Sequence, residues 1–98
     1  MTILITGGAG LVGLYTARRF AEDGQNPICL DRVPRPAHAA YILGDKAKDI
    51  PHEQGDVLDF ESLSDLVREH KVEGIIHAAA VVNEYVFLDD PLLGIRVN

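Results

Sequence analysis

The chain has one cysteine, Cys29, so neither an internal disulfide nor a cysteine-based metal cluster can be built from it alone. Basic residues are scarce, nine Lys and Arg against fifteen Asp and Glu, for a net charge of −6. The shortage is uneven: residues 1–50 carry six bases and five acids, residues 51–98 three bases and ten acids. No basic patch is available to displace counterions from a phosphate backbone, so no nucleic-acid partner is expected. Long apolar runs are missing as well, and none approaches the roughly 20 residues of a membrane span. No basic segment precedes Thr2-Ile3-Leu4-Ile5, and the chain meets Gly7 almost at once, unlike a signal peptide. A cytoplasmic protein without membrane partners is the expectation. What is present is ordinary for a globular fold: 98 residues, 47% hydrophobic and 24% charged, enough for one core.

Short apolar runs alternate with amphipathic stretches, without internal repeats. Ile3-Leu4-Ile5, running into Gly7 and Gly8, reads as a buried strand. From Leu11 to Asp23 the period becomes helical, with Gly13, Ala17, Phe20 and Ala21 on one face and Gly24 as the stop. Pro27 to Asp31 reads as a second strand. Pro34 and Pro36 predict a loop, Ala37 to Leu43 a short helix, and Gly44-Asp45 its break. A third strand is expected near His52 to Asp56 from its place in the order, since its residues are poor strand formers. Asp59 is placed as an N-cap, with Phe60, Leu63, Leu66, Val67 and His70 at helical spacing to about Lys71. Gly74 to Ala78 reads as a fourth strand ending in Ala78-Ala79-Ala80. A loop with Asp89-Asp90-Pro91 follows, Pro91 standing as at a helix start. The expected fold is therefore α/β: an open parallel sheet with right-handed crossovers and flanking helices, with ligands beyond the carboxyl ends of the strands.

Thr6-Gly7-Gly8-Ala9-Gly10-Leu11-Val12-Gly13 lies between the first strand and the first helix. Gly8, Gly10 and Gly13 match G-x-G-x-x-G; Gly7, Gly10 and Gly13 match G-x-x-G-x-x-G. Either pattern lets the chain turn tightly and bring its backbone, with the N–H groups of the first helical turn, against a pyrophosphate. Gly7, Gly10, Leu11, Val12 and Gly13 are the candidate residues. A Walker-type loop is excluded, because Leu14-Tyr15 stands where Lys-Ser/Thr is required. Asp31 closes the second strand 18 residues beyond Gly13. A carboxylate there can accept ribose hydroxyls and repel a 2′-phosphate, which favours NAD over NADP. Arg32 pulls the other way, since a guanidinium beside the ribose can pair with a 2′-phosphate.

These residues resemble the extended short-chain dehydrogenase/reductase family, the NAD-dependent epimerases and dehydratases, over essentially the whole chain. The glycine loop, Asp31, Gly55-Asp56-Val57, His77-Ala78-Ala79-Ala80 and the final Val97-Asn98, similar to the start of a V-N-x-x-G-T helix, carry the resemblance. It implies a Rossmann-type parallel sheet with its first four strands in the order 3-2-1-4, that Asp56 accepts from the adenine amino group, that Val57 lies along the adenine ring, and that Ala78, Ala79 and Ala80 line the cofactor. His77 is expected to be a hydrogen-bonded core residue rather than a catalyst. His38, His52 and His70 show no metal-ligand spacing. The acids Asp59, Glu61, Asp65, Glu69 and Glu73 read as a solvated face.

The family's chemistry uses a Tyr-x-x-x-Lys pair. Tyr15, Tyr41 and Tyr85 are followed four positions on by Arg19, Asp45 and Asp89, so no such pair exists here and no catalytic residue is assigned. Two readings stay open. In one, residues 1–98 are the N-terminal part of the dinucleotide-binding domain of a larger oxidoreductase acting by hydride transfer on a hydroxyl or carbonyl substrate such as a nucleotide sugar, with the catalytic and substrate-binding parts absent. In the other, they form a non-catalytic dinucleotide-binding module or sensor. Ile75-Ile76 on the fourth strand would be a sheet interior if the chain continued; without a neighbour it is an apolar edge inviting pairing with a second copy.

Overall fold

The computed structural model describes residues 1–80 and 88–98; the loop expected before Asp89, with Tyr85, lies largely outside the described residues. Strands β1 (Thr2–Thr6), β2 (Asn26–Asp31), β3 (His52–Gln54) and β4 (Gly74–His77) form one parallel sheet in the order β3-β2-β1-β4. The expected order 3-2-1-4 is what the structure shows. Helices α1 (Leu11–Glu22), α2 (Ala39–Leu43), α3 (Phe60–Glu69) and α4 (Pro91–Val97) connect or follow the strands, with a 3-10 helix over Gly44–Asp49.

Alternation along the strands divides the core between two faces. Ile3, Ile5 and Cys29 point to the side of α1 and α2, where they pack with Leu14, Ala17, Ala39, Ile42, Leu43 and Ile50. Leu4, Ile28 and Leu30 point to the other side and are covered by Val57, Leu63, Leu66, Val67 and Val72. Each wholly buried leucine contributes on the order of 1.5–3 kcal/mol relative to exposure.

Several expectations shift by a few residues. The stripe of α1 is centred on Leu14 and Ala17, both fully buried, while Phe20 and Ala21 are only partly covered. Gly24 has φ +81 and stops α1 as expected. Gly44, at φ +61, ends α2 as expected, and the chain winds on as the 3-10 helix. β3 is three residues long and stops at Gln54, short of Asp56. Asp59 caps α3, its carboxylate accepting from the Ser62 N–H at 3.2 Å and the Ser62 hydroxyl at 2.9 Å. That acceptance holds the Asp59 carboxyl below its ordinary value, the backbone bond being the larger cause. Phe60 does not join the apolar face of α3: it is 79% exposed. α3 closes at Glu69, and Lys71 adopts φ 54 as the chain turns into β4. Pro91 is in the first turn of α4, and Asp90 accepts from the Leu93 N–H at 3.2 Å.

Candidate functional site

The loop between β1 and α1 is held from several directions. The Gly8 N–H donates to the Leu30 carbonyl at 3.0 Å, and the Gly10 N–H to the Gly7 carbonyl at 3.1 Å. Gly7 has φ +69, and a Cβ on it would stand 2.7 Å from the Ala79 nitrogen. A Cβ on Gly13 would overlap the Gly7 carbonyl oxygen, so Gly13 lets α1 start directly against the loop. Gly10 is the N-cap and supplies no side chain, and no acid stands in the first turn. The N–H groups of Leu11, Val12 and Gly13 are orphaned by helix geometry, so this helix start presents donors and a favourable dipole to an anion. Cys29 lies under the loop with 0% exposure, and burial pushes its thiol up, against the opposing pull of Arg35.

Asp31 sits at the end of β2, where its carboxylate supports the loop. One oxygen accepts from the Ala9 N–H at 3.0 Å, the other from the Val33 N–H at 3.4 Å. An ionised carboxylate offers about four lone-pair sites, so these bonds leave capacity for hydroxyl donors. Asp31 is at once an anchor for the glycine loop and an open acceptor.

At the fourth strand, Thr6, 3% exposed, organises the backbone. The Ala79 N–H donates to Thr6 Oγ1 at 3.2 Å, and Thr6 Oγ1 lies 2.7 Å from His77 Nδ1. His77 Nε2 lies 3.0 Å from the Val97 carbonyl, which can only accept. Nε2 therefore carries the hydrogen, in the neutral ring Nδ1 accepts from the Thr6 hydroxyl, and a single polar chain joins β1, the end of β4 and α4. His77 is hydrogen-bonded as expected, but its place is corrected: it is exposed at the end of the edge strand rather than enclosed in the core. With both ring nitrogens engaged, it positions backbone.

These pieces meet around a cavity of about 540 Å³ at the carboxyl ends of the strands. Of the expected residues, Gly7, Gly10, Asp31, Arg32, Val57, Ala78, Ala79 and Ala80 line it. Leu11, Val12, Gly13 and Asp56 do not. The side chains of Leu11 and Val12 are 62% and 72% exposed, and Gly13 is buried behind Gly7. Asp56 lies on the rim, with Oδ1 accepting from the Leu58 N–H at 2.9 Å and Oδ2 3.7 Å from Arg32 Nε. Four lining residues were not singled out from the sequence as contacts: Leu30, Val33, Gly55 and Val97. Gly55 and Val97 stood inside quoted motifs, whereas Leu30 and Val33 carried no signal beyond adjacency to Asp31-Arg32. Among the described residues no group of three or more His, Cys, Asp or Glu side chains is arranged for a metal ion, and no helix is long and apolar enough to cross a membrane.

An anion-binding helix start, a carboxylate at the neighbouring strand end and a floor of alanines at a sheet crevice can hold a molecule carrying phosphates, ribose hydroxyls and a flat base. The comparisons agree with this architecture. UDP-glucose 4-epimerase of Neisseria gonorrhoeae is 34% identical over 83 residues, covering 83% of this chain and 25% of its own length. The Yersinia enterocolitica enzyme of the same name is 32% identical over 97 residues, covering 94% and 28%. Among solved structures, the Thermus thermophilus UDP-glucose 4-epimerase complex with NAD matches with a TM-score of 0.81 and 26% identity over 99% of this chain and 30% of that one. The Brucella ovis UDP-glucose 4-epimerase in complex with NAD gives 0.77 and 26% over 97% and 27%. The chain spans about a quarter of the length of the curated relatives it matches. The family model described as "NAD dependent epimerase/dehydratase family" matches residues 3–98, and the chain belongs to that family.

Proposed function

We propose that this chain is the cofactor-binding portion of an NAD-dependent epimerase/dehydratase-type oxidoreductase that acts by hydride transfer on a hydroxyl or carbonyl substrate such as a nucleotide sugar. The observation that carries the reading is the convergence of the glycine loop, Asp31 and Ala78-Ala79-Ala80 on one cavity at the sheet's carboxyl end. In this reading the N–H groups of Leu11, Val12 and Gly13 face the pyrophosphate. Asp31 takes the adenosine ribose hydroxyls, Asp56 and Val57 hold the adenine, and the alanines leave room for the dinucleotide to lie along the strand ends. The nicotinamide, when bound, takes and returns the hydride. Relatives bearing the name UDP-glucose 4-epimerase support the nucleotide-sugar class. The sequence holds no Tyr-x-x-x-Lys, so the chain by itself is expected to bind cofactor without turnover.

Calorimetric titration of the purified protein tests this. NAD is expected to bind, and more tightly than NADP. Asp31→Ala should weaken NAD about 10- to 100-fold, from the roughly 1.5–3 kcal/mol of a hydrogen bond to a charged acceptor. Tighter binding of NADP would overturn the cofactor assignment, and binding of neither would overturn the site. Turnover of a nucleotide sugar by these residues alone would overturn the division between cofactor binding and catalysis.

A further inference from the structure

Two acids and one base meet at the rim of the cavity. Arg32 follows Asp31 directly, lines the same cavity as Asp31, and has a side chain 65% exposed. Left free, its guanidinium is within one residue of the ribose acceptor and would be a ready partner for a 2′-phosphate. Its Nε stands 3.7 Å from Asp56 Oδ2, however, and that carboxylate draws the guanidinium toward itself. The turn that carries Arg32 is also pinned from β3, where Gln54 Nε2 donates to the Arg32 carbonyl at 3.0 Å and His52 Nε2 lies 3.0 Å from the Val33 carbonyl. Asp56 is equally fixed, its Oδ1 taken by the Leu58 N–H at 2.9 Å. At 3.7 Å the Arg32–Asp56 contact is ionic rather than a hydrogen bond, so Oδ2 keeps a lone pair for an adenine amino group while its charge holds the guanidinium.

We infer that Asp56 is a specificity determinant against 2′-phosphorylated cofactor, acting through Arg32: the ion pair draws away from the ribose side a cation that could receive the phosphate. This rests on reading the cavity as a dinucleotide site. Asp31 and Asp56 together leave the rim one charge negative with Arg32 counted, which repels the phosphate. Removing the Asp56 charge leaves Arg32 to balance Asp31 and to turn toward the ligand. A guanidinium–phosphate contact is charge-assisted on both sides, so an Arg32 no longer drawn to Asp56 would be a strong partner for the phosphate.

The test is a double-mutant cycle read as the ratio of NADP to NAD dissociation constants, which cancels any general loss of adenine binding. Asp56→Asn keeps the oxygen that accepts from Leu58 and should preserve the fold, which circular dichroism checks. It is expected to shift the ratio about tenfold toward NADP. Arg32→Ala in the otherwise native protein should leave the ratio within about twofold, because Asp56 already draws the guanidinium away from the ligand. In the Asp56→Asn, Arg32→Ala double variant the gain should vanish. An unchanged ratio in Asp56→Asn, or an equal gain without Arg32, would overturn the inference while leaving the dinucleotide site standing. A marked loss of NADP in the Arg32→Ala single variant would also overturn it, and that readout does not depend on Asp56. If the unaltered protein bound neither dinucleotide, the site itself would fall first.

Discussion

At the scale of single residues, glycines that look alike in the loop have different work. A Cβ on Gly13 would overlap the Gly7 carbonyl, so it would push α1 off the strand end. A Cβ on Gly10 would meet nothing nearer than the Gly7 oxygen at 3.5 Å, an ordinary contact, yet Gly10 lines the cavity. Gly13→Ala should therefore destabilise the fold by about 1–3 kcal/mol from overpacking, less whatever alanine's better helix propensity returns. Gly10→Ala should keep the melting temperature nearly unchanged and weaken NAD about tenfold or more. Thermal melts and NAD titrations of both variants separate the two, and a Gly10→Ala protein that binds NAD normally would remove Gly10 from the site. The spacing of the loop was legible in the sequence because backbone sterics restrict such turns to glycine. Which glycine faces the cavity and which faces backbone was not, since that depends on where Ala78 and Ala79 arrive from 71 residues further along.

At the scale of elements, α3 shows local and tertiary signals agreeing. Asp59 was readable as a cap because a carboxylate there satisfies orphan N–H groups within one turn. Its carboxyl is held below the ordinary value, so the cap's contribution is whole above the unfolded carboxylate value of about 3.9 and is lost as the pH falls through the lowered folded value. Asp59→Ala should lower the melting temperature by roughly a few degrees at neutral pH. Asp59→Asn, which can still accept, should lose less and should remove this part of the acid dependence. Melts from pH 2 to pH 7 check both, and an Asp59→Ala protein that melts like the native one throughout would show the cap to be idle. β3 is the opposite case. His-Glu-Gln has little strand propensity, and the strand exists because Cys29, Leu30 and Asp31 offer a ladder to His52, Glu53 and Gln54. Its early end, before Gly55, frees Gly55 to donate to the Asp31 carbonyl at 2.8 Å and brings Asp56 to the rim.

At the scale of the whole molecule, the sheet is covered unevenly. β1 and β2 are packed on both faces, but Ile75 and Ile76 on β4 remain 54% and 40% exposed. Among the described residues no strand lies on the outer side of β4. An apolar edge of this kind recruits another backbone. The 98-residue chain is expected to self-associate as its concentration rises, and lysines in place of both isoleucines should shift it toward monomer. Sedimentation velocity across a concentration series checks this, and a native chain that stays monomeric throughout would show the edge to be protected.

The alternation of apolar strands with amphipathic helices, the glycine spacing and the acid after β2 were determined by sequence alone, because each follows from forces acting within a turn or between neighbouring residues. Strand order came from the resemblance to a Rossmann-type family, since the handedness of parallel crossovers fixes the face each helix takes and not the side on which the next strand joins. Tertiary structure alone decided that Asp31 braces the glycine loop, that Thr6 and His77 tie β4 to α4, and that Arg32 is held by Asp56. Those contacts join residues 20 to 71 positions apart. Their geometry is set by how the helices seat on the sheet, which no local pattern encodes.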